Sequence, residues 1–388
     1  LNGQSRRLIT AWFTVRIRVP PFLAWAKSAV VIFFCLPLSL AGSSLSLMRF
    51  QLRVLAKVSF LLGVLVLLVV GLMLARAASW RADKLALLDS ASEIAQTERG
   101  EVEYLIRGQG PAILIFHGAP GGYDQATLLG SFLAEEEFEI AAPSRPGYLR
   151  TPLATGQSPE EQAQAMAAFI DTMGIPSVAV LASSAGTPAA IQFVLRYPQK
   201  AWALILLSAV TKRRDLEIKL PWTEPERYGL DVFAQDLRAW LSVGDEDEDP
   251  RKILGQILEA ENGGTIAQRE ALASYILNDS DQLEWVQSLL GTFVPPSVRQ
   301  LGLKNDILQI RALEEFPLEQ ITVPTLMVHG TSDRIVPFSE AEAAAGRIPG
   351  AIFYPVAGAG HLVEIGPQAS DVQAKIIQFL REHSDGQP

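Results

Sequence analysis

Hydrophobic residues are distributed along this chain in three patterns, and each predicts a different kind of element. From Val58 to Ala75 the sequence VSFLLGVLVLLVVGLMLA is uncharged for 18 residues and apolar on every side, bounded by Lys57 and Arg76. As a helix it would be about 27 Å long, close to the hydrocarbon thickness of a bilayer. The second pattern is short and continuous. Ala112–Phe116, Phe138–Ala142, Val178–Leu181, Leu204–Leu207 and Thr325–Val328 are unbroken apolar runs, as suits strands covered on both faces. Glu101–Ile106 alternates by side instead, which predicts a strand near a sheet edge. The third pattern is amphipathic, in segments near 125–136, 159–173, 186–197, 338–347 and 369–382, each long enough for a crossover helix. Strand and helix in steady alternation predict an α/β fold: a mostly parallel sheet, covered by helices on both sides.

The alternation stops between Val210 and Gln320, a stretch rich in Glu, Leu, Trp and Arg with no strand-like run. It reads as a helical insertion. Within it, Asp245–Asp249 is a solvated loop that lacks the glycine and distal glutamate of a calcium loop, and Trp222, Trp240 and Trp285 read as core of the insertion. The expected organisation is therefore a basic N-terminal region (1–57), a transmembrane helix or signal anchor (58–75) and a polar helical connector (76–97). The first part of the sheet domain (98–209), a helical cap (210–320) and the second part of the sheet domain (321–388) follow.

Charge sharpens this division. Residues 1–82 carry ten basic side chains and no acidic one; removing those ten from the net charge of −9 leaves −19 on the rest. A basic, apolar head joined to an acidic body favours a lipid partner for the head and argues against a nucleic-acid partner for the body. The single cysteine, Cys35, excludes an intrachain disulfide and a cysteine zinc cage. Ser28–Met48 is a second uncharged stretch, broken by Pro37 and Gly42. Met48 followed by Arg49, Arg53 and Lys57 is a candidate start, and Ala75-Arg76-Ala77 resembles a signal-peptide cleavage site, although the apolar run is long for one. A single span beginning at Met48 puts the body outside the cytoplasm; two spans return it. The reading adopted is a single-pass anchor with an extracytoplasmic body, in which a chain beginning at Ser90 keeps every expected strand.

Candidate chemistry comes from four loops. Val178–Ala190 (VAVLASSAGTPAA) runs from a buried strand through small residues and serine into a helix. Small-x-Ser-x-small is the pattern of a nucleophile elbow, in which tiny neighbours let strand and helix approach and expose the hydroxyl. On that pattern Ser184 is the nucleophile, with Ala182 where glycine is usual; Ser183 is the competitor and would place Leu181 at a small position. Four histidines exist. His117 opens a Gly-rich loop, His329 closes a buried strand and His383 lies in the tail, which leaves His361, in Ala357–Leu362, as the candidate base. Asp333 follows His329 in HGTSDRIVP, and Asp215 is the alternative acid, on what reads as a surface turn beside Lys212–Arg214.

Upstream, the strand AILIF leads into His117-Gly118-Ala119-Pro120-Gly121-Gly122. This loop, the elbow serine, the helical insertion, and a late acid and histidine together resemble the α/β-hydrolase superfamily, in its serine-nucleophile branch, over roughly residues 98–383. The resemblance implies an order Ser184, Asp333, His361 and an oxyanion hole from the main-chain amides of Ala119 and Ala185. It implies that His117 holds the loop's geometry. Ser144-Arg145-Pro146-Gly147-Tyr148 stands where the family often has D-x-P-G-x-G, with Ser144 replacing the aspartate. No metal or organic cofactor is implied. The expected substrate is a small-molecule carboxylic ester or thioester. A proline-iminopeptidase-like amide substrate and a cofactor-free C–C bond hydrolase are the alternatives, and a non-catalytic binding module stands behind them.

Overall fold

A computed structural model describes residues 45–214, 228–243, 250–384 and 386. The second stretch Ser28–Met48, for all but its last few residues, and Trp222, Asp215 and the acidic run 245–249 lie outside the described residues.

Helix α1 (Leu45–Ala91) contains the apolar run and continues far beyond it. It is long and apolar enough to cross a membrane, and its most apolar 18-residue window is nowhere buried by the rest of the chain. Its polar end docks on the body: Tyr123 Oη donates to the Leu88 carbonyl at 2.7 Å, Ser92 Oγ lies 2.8 Å from Glu103, and Arg81 Nε meets Asp236 Oδ2 at 2.6 Å. The connector expected through residue 97 therefore ends early. Residues Glu93–Thr97 form strand β1, pairing antiparallel with β2 (Gly100–Arg107). Only Ala95 of β1 is buried, so the strand carries almost no hydrophobic signature, as expected at a sheet edge.

The remaining strands are β3 (Ala112–Phe116), β4 (Glu139–Pro143), β5 (Val178–Ser183), β6 (Ala201–Leu207), β7 (Thr325–Gly330) and β8 (Ile352–Val356). With β1 and β2 they form an eight-stranded sheet in the order β1-β2-β4-β3-β5-β6-β7-β8, parallel from β4 to β8. Crossover helices are α2 (Tyr123–Ala134), α3 (Pro159–Thr172), α4 (Thr187–Arg196), α10 (Phe338–Arg347) and α11 (Ala369–His383). Helix α3 starts where the sequence signals a start: Ser158 caps it in a reciprocal box with Glu161, and proline occupies its first turn.

Alternation along each strand divides the core. Leu114, Phe116, Val180, Leu204, Leu206 and Met327 pack under α3, α4 and α10, while Ile113, Ile115, Leu181, Ile205, Leu207 and Val328 pack against α2 and α11. Between β6 and β7 lie helices α5 (Tyr228–Val243), α6 (Pro250–Glu261), α7 (Ile266–Asn278), α8 (Ser280–Gly291) and α9 (Gln300–Ala312). Strand order reverses about β3, whose neighbours are β4 and β5. In parallel sheets the crevice beyond the strand ends at such a point collects ligand-binding loops. Phe116 pairs with Ala182, so the loops leaving β3 and β5 emerge side by side.

Candidate active site

At the end of β5 the chain must turn sharply into α4. Ser183 is still extended (φ −117°, ψ 135°), whereas Ser184 has φ 48°, in the left-handed region that costs a non-glycine residue about 1–2 kcal/mol. Ser184–Gly186 then form one 3-10 turn leading to Thr187. Gly186 is required by contact: a Cβ there would stand 2.4 Å from the Phe116 carbonyl oxygen and 2.6 Å from that of His117. Ala182 fits the other small position without exposure, pairing with Phe116 and Leu206. Of the two adjacent serines, it is Ser184 that occupies the strained turn.

Ser184 Oγ lies 2.8 Å from His361 Nε2, and His361 Nδ1 lies 2.8 Å from Asp333 Oδ2. A carboxylate only accepts, so Nδ1 carries the proton and Nε2 is free to accept from the serine hydroxyl. Asp333 is fixed in turn by the amides of Ile335 and Val336, which donate to Oδ1 at 2.7 and 2.9 Å, and by His329 Nε2, 3.2 Å from Oδ2. Burial alone would raise the Asp333 pKa, but His361, His329 and the Val336 amide together hold it far below the carboxylate range. Burial works the other way on His361. Asp333 outweighs it, with smaller contributions from Glu261 and Glu364, and the imidazole pKa ends above its ordinary value.

His117 is fully buried. Its Nδ1 donates to the Gly118 carbonyl at 2.7 Å and its Nε2 accepts from the Arg145 amide at 2.9 Å, so the ring is a neutral strut inside the loop. Burial, reinforced by the charge of Arg145, pushes its pKa well below the ordinary value. The loop sits against the serine, because a Cβ on Gly118 would stand 3.6 Å from Ser184 Cβ. Gly121 has no room for one, with His117 Nδ1 at 2.3 Å and the Gly118 oxygen at 2.7 Å. Pro120 and Gly122 complete the turn into α2, and Gln125 Nε2 reaches the Pro120 carbonyl at 3.4 Å. Ala185, second residue of the 3-10 turn, has an amide with no intrahelical acceptor, as at any helix start.

Two buried guanidinium groups hold the loop from behind. Arg145 Nε donates to the His117 carbonyl at 2.9 Å, and Arg299 donates to the Gly121 carbonyl at 2.7 Å. Asp306, on α9, takes both Arg145 nitrogens at 2.8 and 2.6 Å and the Tyr148 hydroxyl at 2.5 Å; Asp124 takes Arg299 at 3.1 and 2.7 Å. Asp306, Arg299 and Asp124 had no sequence signal, since their partners lie far along the chain or in another loop. Ser144 is structural: it accepts from the Tyr123 amide at 2.9 Å and lies 3.0 Å from Glu103.

The inserted helices also reach the loops that carry Asp333 and His361. At the end of α6, the Glu261 carbonyl accepts from the amides of Arg334 and His361 at 3.1 and 3.3 Å, and just beyond it the Gly263 amide donates to the Ser332 carbonyl at 2.6 Å. Asn262 bridges to Asp333 and donates to the Gly358 carbonyl at 3.1 Å. Among the described residues no group of three or more His, Cys, Asp or Glu side chains could hold a metal ion.

Residues 111–365 match the family profile of the alpha/beta hydrolase fold. An uncharacterized hydrolase of Bacillus subtilis, YcgS, is 28% identical over 291 residues, covering 72% of this chain and 95% of that protein. The 2-hydroxymuconate semialdehyde hydrolase of Pseudomonas putida is 25% identical over 287 residues, 71% of this chain and 89% of that one. Among solved structures, an alpha/beta hydrolase fold protein from Nakamurella multipartita superposes with a TM-score of 0.66 at 29% identity, covering 76% of this chain and all of that one.

Proposed function

The chain belongs to the alpha/beta hydrolase fold family, and on that premise we propose that it is a serine hydrolase cleaving a carboxylic ester or thioester through an acyl-serine. The observation that carries this reading is the continuous hydrogen-bonded path from Ser184 through His361 to Asp333. In the first half-reaction Ser184 Oγ attacks the acyl carbon while His361 Nε2 takes its proton. The amides of Ala119 and Ala185 receive the negative charge on the carbonyl oxygen, a contribution of about 3–4 kcal/mol per donor. The tetrahedral adduct expels the alcohol or thiol, to which His361 returns the proton. Water then repeats the sequence on the acyl-serine, with its proton passing to His361 and on to Ser184 as the acid leaves. Asp333 keeps the imidazole in one tautomer and balances its transient charge. The helices inserted between β6 and β7 act as a cap and select the acyl or leaving group.

A second reading is cofactor-free C–C bond hydrolysis, with the relative named as a 2-hydroxymuconate semialdehyde hydrolase as its support. The same serine, base and amides would serve it. A panel of nitrophenyl and thioester substrates assayed beside a vinylogous 1,5-diketone separates the two. Turnover of the esters with the diketone inert supports the first reading, and the converse supports the second.

The apolar part of α1 anchors the enzyme to a bilayer as a single span, with the body on the extracytoplasmic side. The full chain then stays in the membrane pellet through high salt and alkaline carbonate; release by either wash overturns the anchor.

A further inference from the structure

Strand β6 ends in a second strained serine. Ser208 has φ 48°, the same left-handed value as Ser184, in a region that glycine enters freely and other residues seldom do. Leu207 beside it pairs with Ser183 of β5 and with Val328 of β7, so the turn lies between the strand that leads to Ser184 and the strand that leads to Asp333. The Ser208 amide donates to the Val328 carbonyl at 3.0 Å, and its buried hydroxyl donates to the His361 carbonyl at 2.5 Å. On its other side the His361 main chain is held by a longer bond, from its amide to the Glu261 carbonyl at 3.3 Å. Two residues further along the same turn, the Val210 amide donates to Thr187 Oγ1 at 2.9 Å, and that hydroxyl donates to the Ser184 carbonyl at 2.6 Å. Thr187 is the first residue of α4 and is buried. A glycine at position 208 would remove the strain. What the serine adds is the bond to His361, and strain that persists beside a candidate site is an observation from which function can be inferred.

We propose that Ser208 and Thr187 are positioning residues of the acyl-serine reaction: the turn leaving β6 fixes His361 through one hydroxyl and Ser184 through the other, so that Ser184 Oγ and His361 Nε2 meet at reaction distance. The inference rests on the roles proposed for Ser184 and His361. Their 2.8 Å contact joins residues 177 apart in sequence, and the turn ties their main chains together through three hydrogen bonds. Both hydroxyls donate to main-chain carbonyls, so they act on where the two side chains start from and not on their charge. His361 has to serve Ser184, the leaving group and water in turn from one fixed backbone. A displacement of about 1 Å is enough to cost on the order of 10²-fold in rate.

The test uses the full chain in lipid nanodiscs, with nitrophenyl butyrate as substrate probe and a fluorophosphonate as label. Ser208→Gly removes the hydroxyl and accepts φ 48° without strain, whereas Ser208→Ala removes the hydroxyl and keeps the strain. Both should lower kcat and the labelling rate, per folded chain, by about tenfold or more with KM little changed. Thr187→Val should do the same, and Thr187→Ser, which keeps the hydroxyl, should restore the native rate. Independently of turnover, NMR of the chain with isotope-labelled histidines follows the His361 Nδ1 proton, identified by its absence in His361→Gln. In Ser208→Gly that proton should exchange with water about tenfold or more faster than in the native chain. Native kcat in Ser208→Gly, with or without a loss in Ser208→Ala, overturns the role of the Ser208 hydroxyl, and so does native proton exchange. Native kcat in Thr187→Val, or no rescue by Thr187→Ser, overturns the role of Thr187. A native chain that neither labels nor turns over the ester overturns the acyl-serine reading, while proton exchange still decides whether Ser208 holds His361.

Discussion

Arg145 and Asp306 form a fully buried, two-bonded ion pair, 2.8 and 2.6 Å, between the β4 loop and helix α9, 161 residues apart in sequence. Through Nε the same guanidinium holds the His117 carbonyl, so this one pair joins the inserted helices to the loop beside Ser184. Asp306→Asn leaves that guanidinium buried without its counter-charge, and should cost on the order of 3–5 kcal/mol in urea unfolding. Replacing both partners by apolar residues of similar volume should recover most of the loss. An unchanged midpoint in Asp306→Asn would show that the pair contributes nothing to stability.

The base should report its surroundings in the pH profile. On the acyl-serine account His361 is the base and works only when neutral, and its pKa is held above the ordinary imidazole value because Asp333 outweighs burial. The kcat/KM for an ester should therefore fall as pH drops, with a midpoint above 6.5. Asp333 stays ionised throughout that range, its pKa being depressed. Asp333→Asn should move the midpoint down and cut kcat by about 10³–10⁴, because the tautomer is no longer fixed. A flat profile between pH 5 and 8, with chemistry limiting, would contradict a histidine base.

Glu261 makes a prediction of opposite sign to the usual carboxylate. Its folded pKa is raised to about 7 from an ordinary 4.5, so between those values the folded chain holds a proton that the unfolded chain has lost. Its contribution to stability therefore falls as pH rises through that window and is flat above it. Glu261→Gln should be more stable relative to the native chain at pH 8 than at pH 5, by on the order of 1–3 kcal/mol. Equal differences at the two pH values would show that Glu261 does not titrate in this window.

The docked end of α1 revises where the body begins. A chain starting at Ser90 loses Arg81 and the Leu88 carbonyl, and leaves Asp236, 2% exposed, with the Ser297 amide as its remaining partner among the bonds described. It should be less stable than a chain starting at Ala77 by about 1–3 kcal/mol, the value reduced because Arg81 is partly exposed. Equal urea midpoints for the two chains would show that the docking is immaterial.

These residues also mark what could be read in advance. The meeting of Ser184, His361 and Asp333 and the tight turn at His117–Gly122 could be expected from the sequence because their signals are local: small residues flank a strained turn, and glycines stand where a Cβ would strike a carbonyl. The inner strands were legible because burial on both faces leaves an unbroken apolar run, and their helices because one face is apolar. Strand β1 was not, since four of its five residues stay at least partly exposed. Nor were Asp306, Arg299 or Glu261. A buried charge in an amphipathic helix looks like a solvated one until its partner, or its lack of one, is seen in three dimensions. The docking of α1 was hidden for the same reason, since Arg81 and Asp236 each belong to segments that read as polar surface.

The most direct test of the acyl-serine account is to label the full chain with a fluorophosphonate and map the modified residue by peptide mass spectrometry. The account predicts the label on Ser184, lost together with ester turnover in Ser184→Ala and retained in Ser183→Ala. A label on Ser183, or labelling that survives Ser184→Ala, would contradict it.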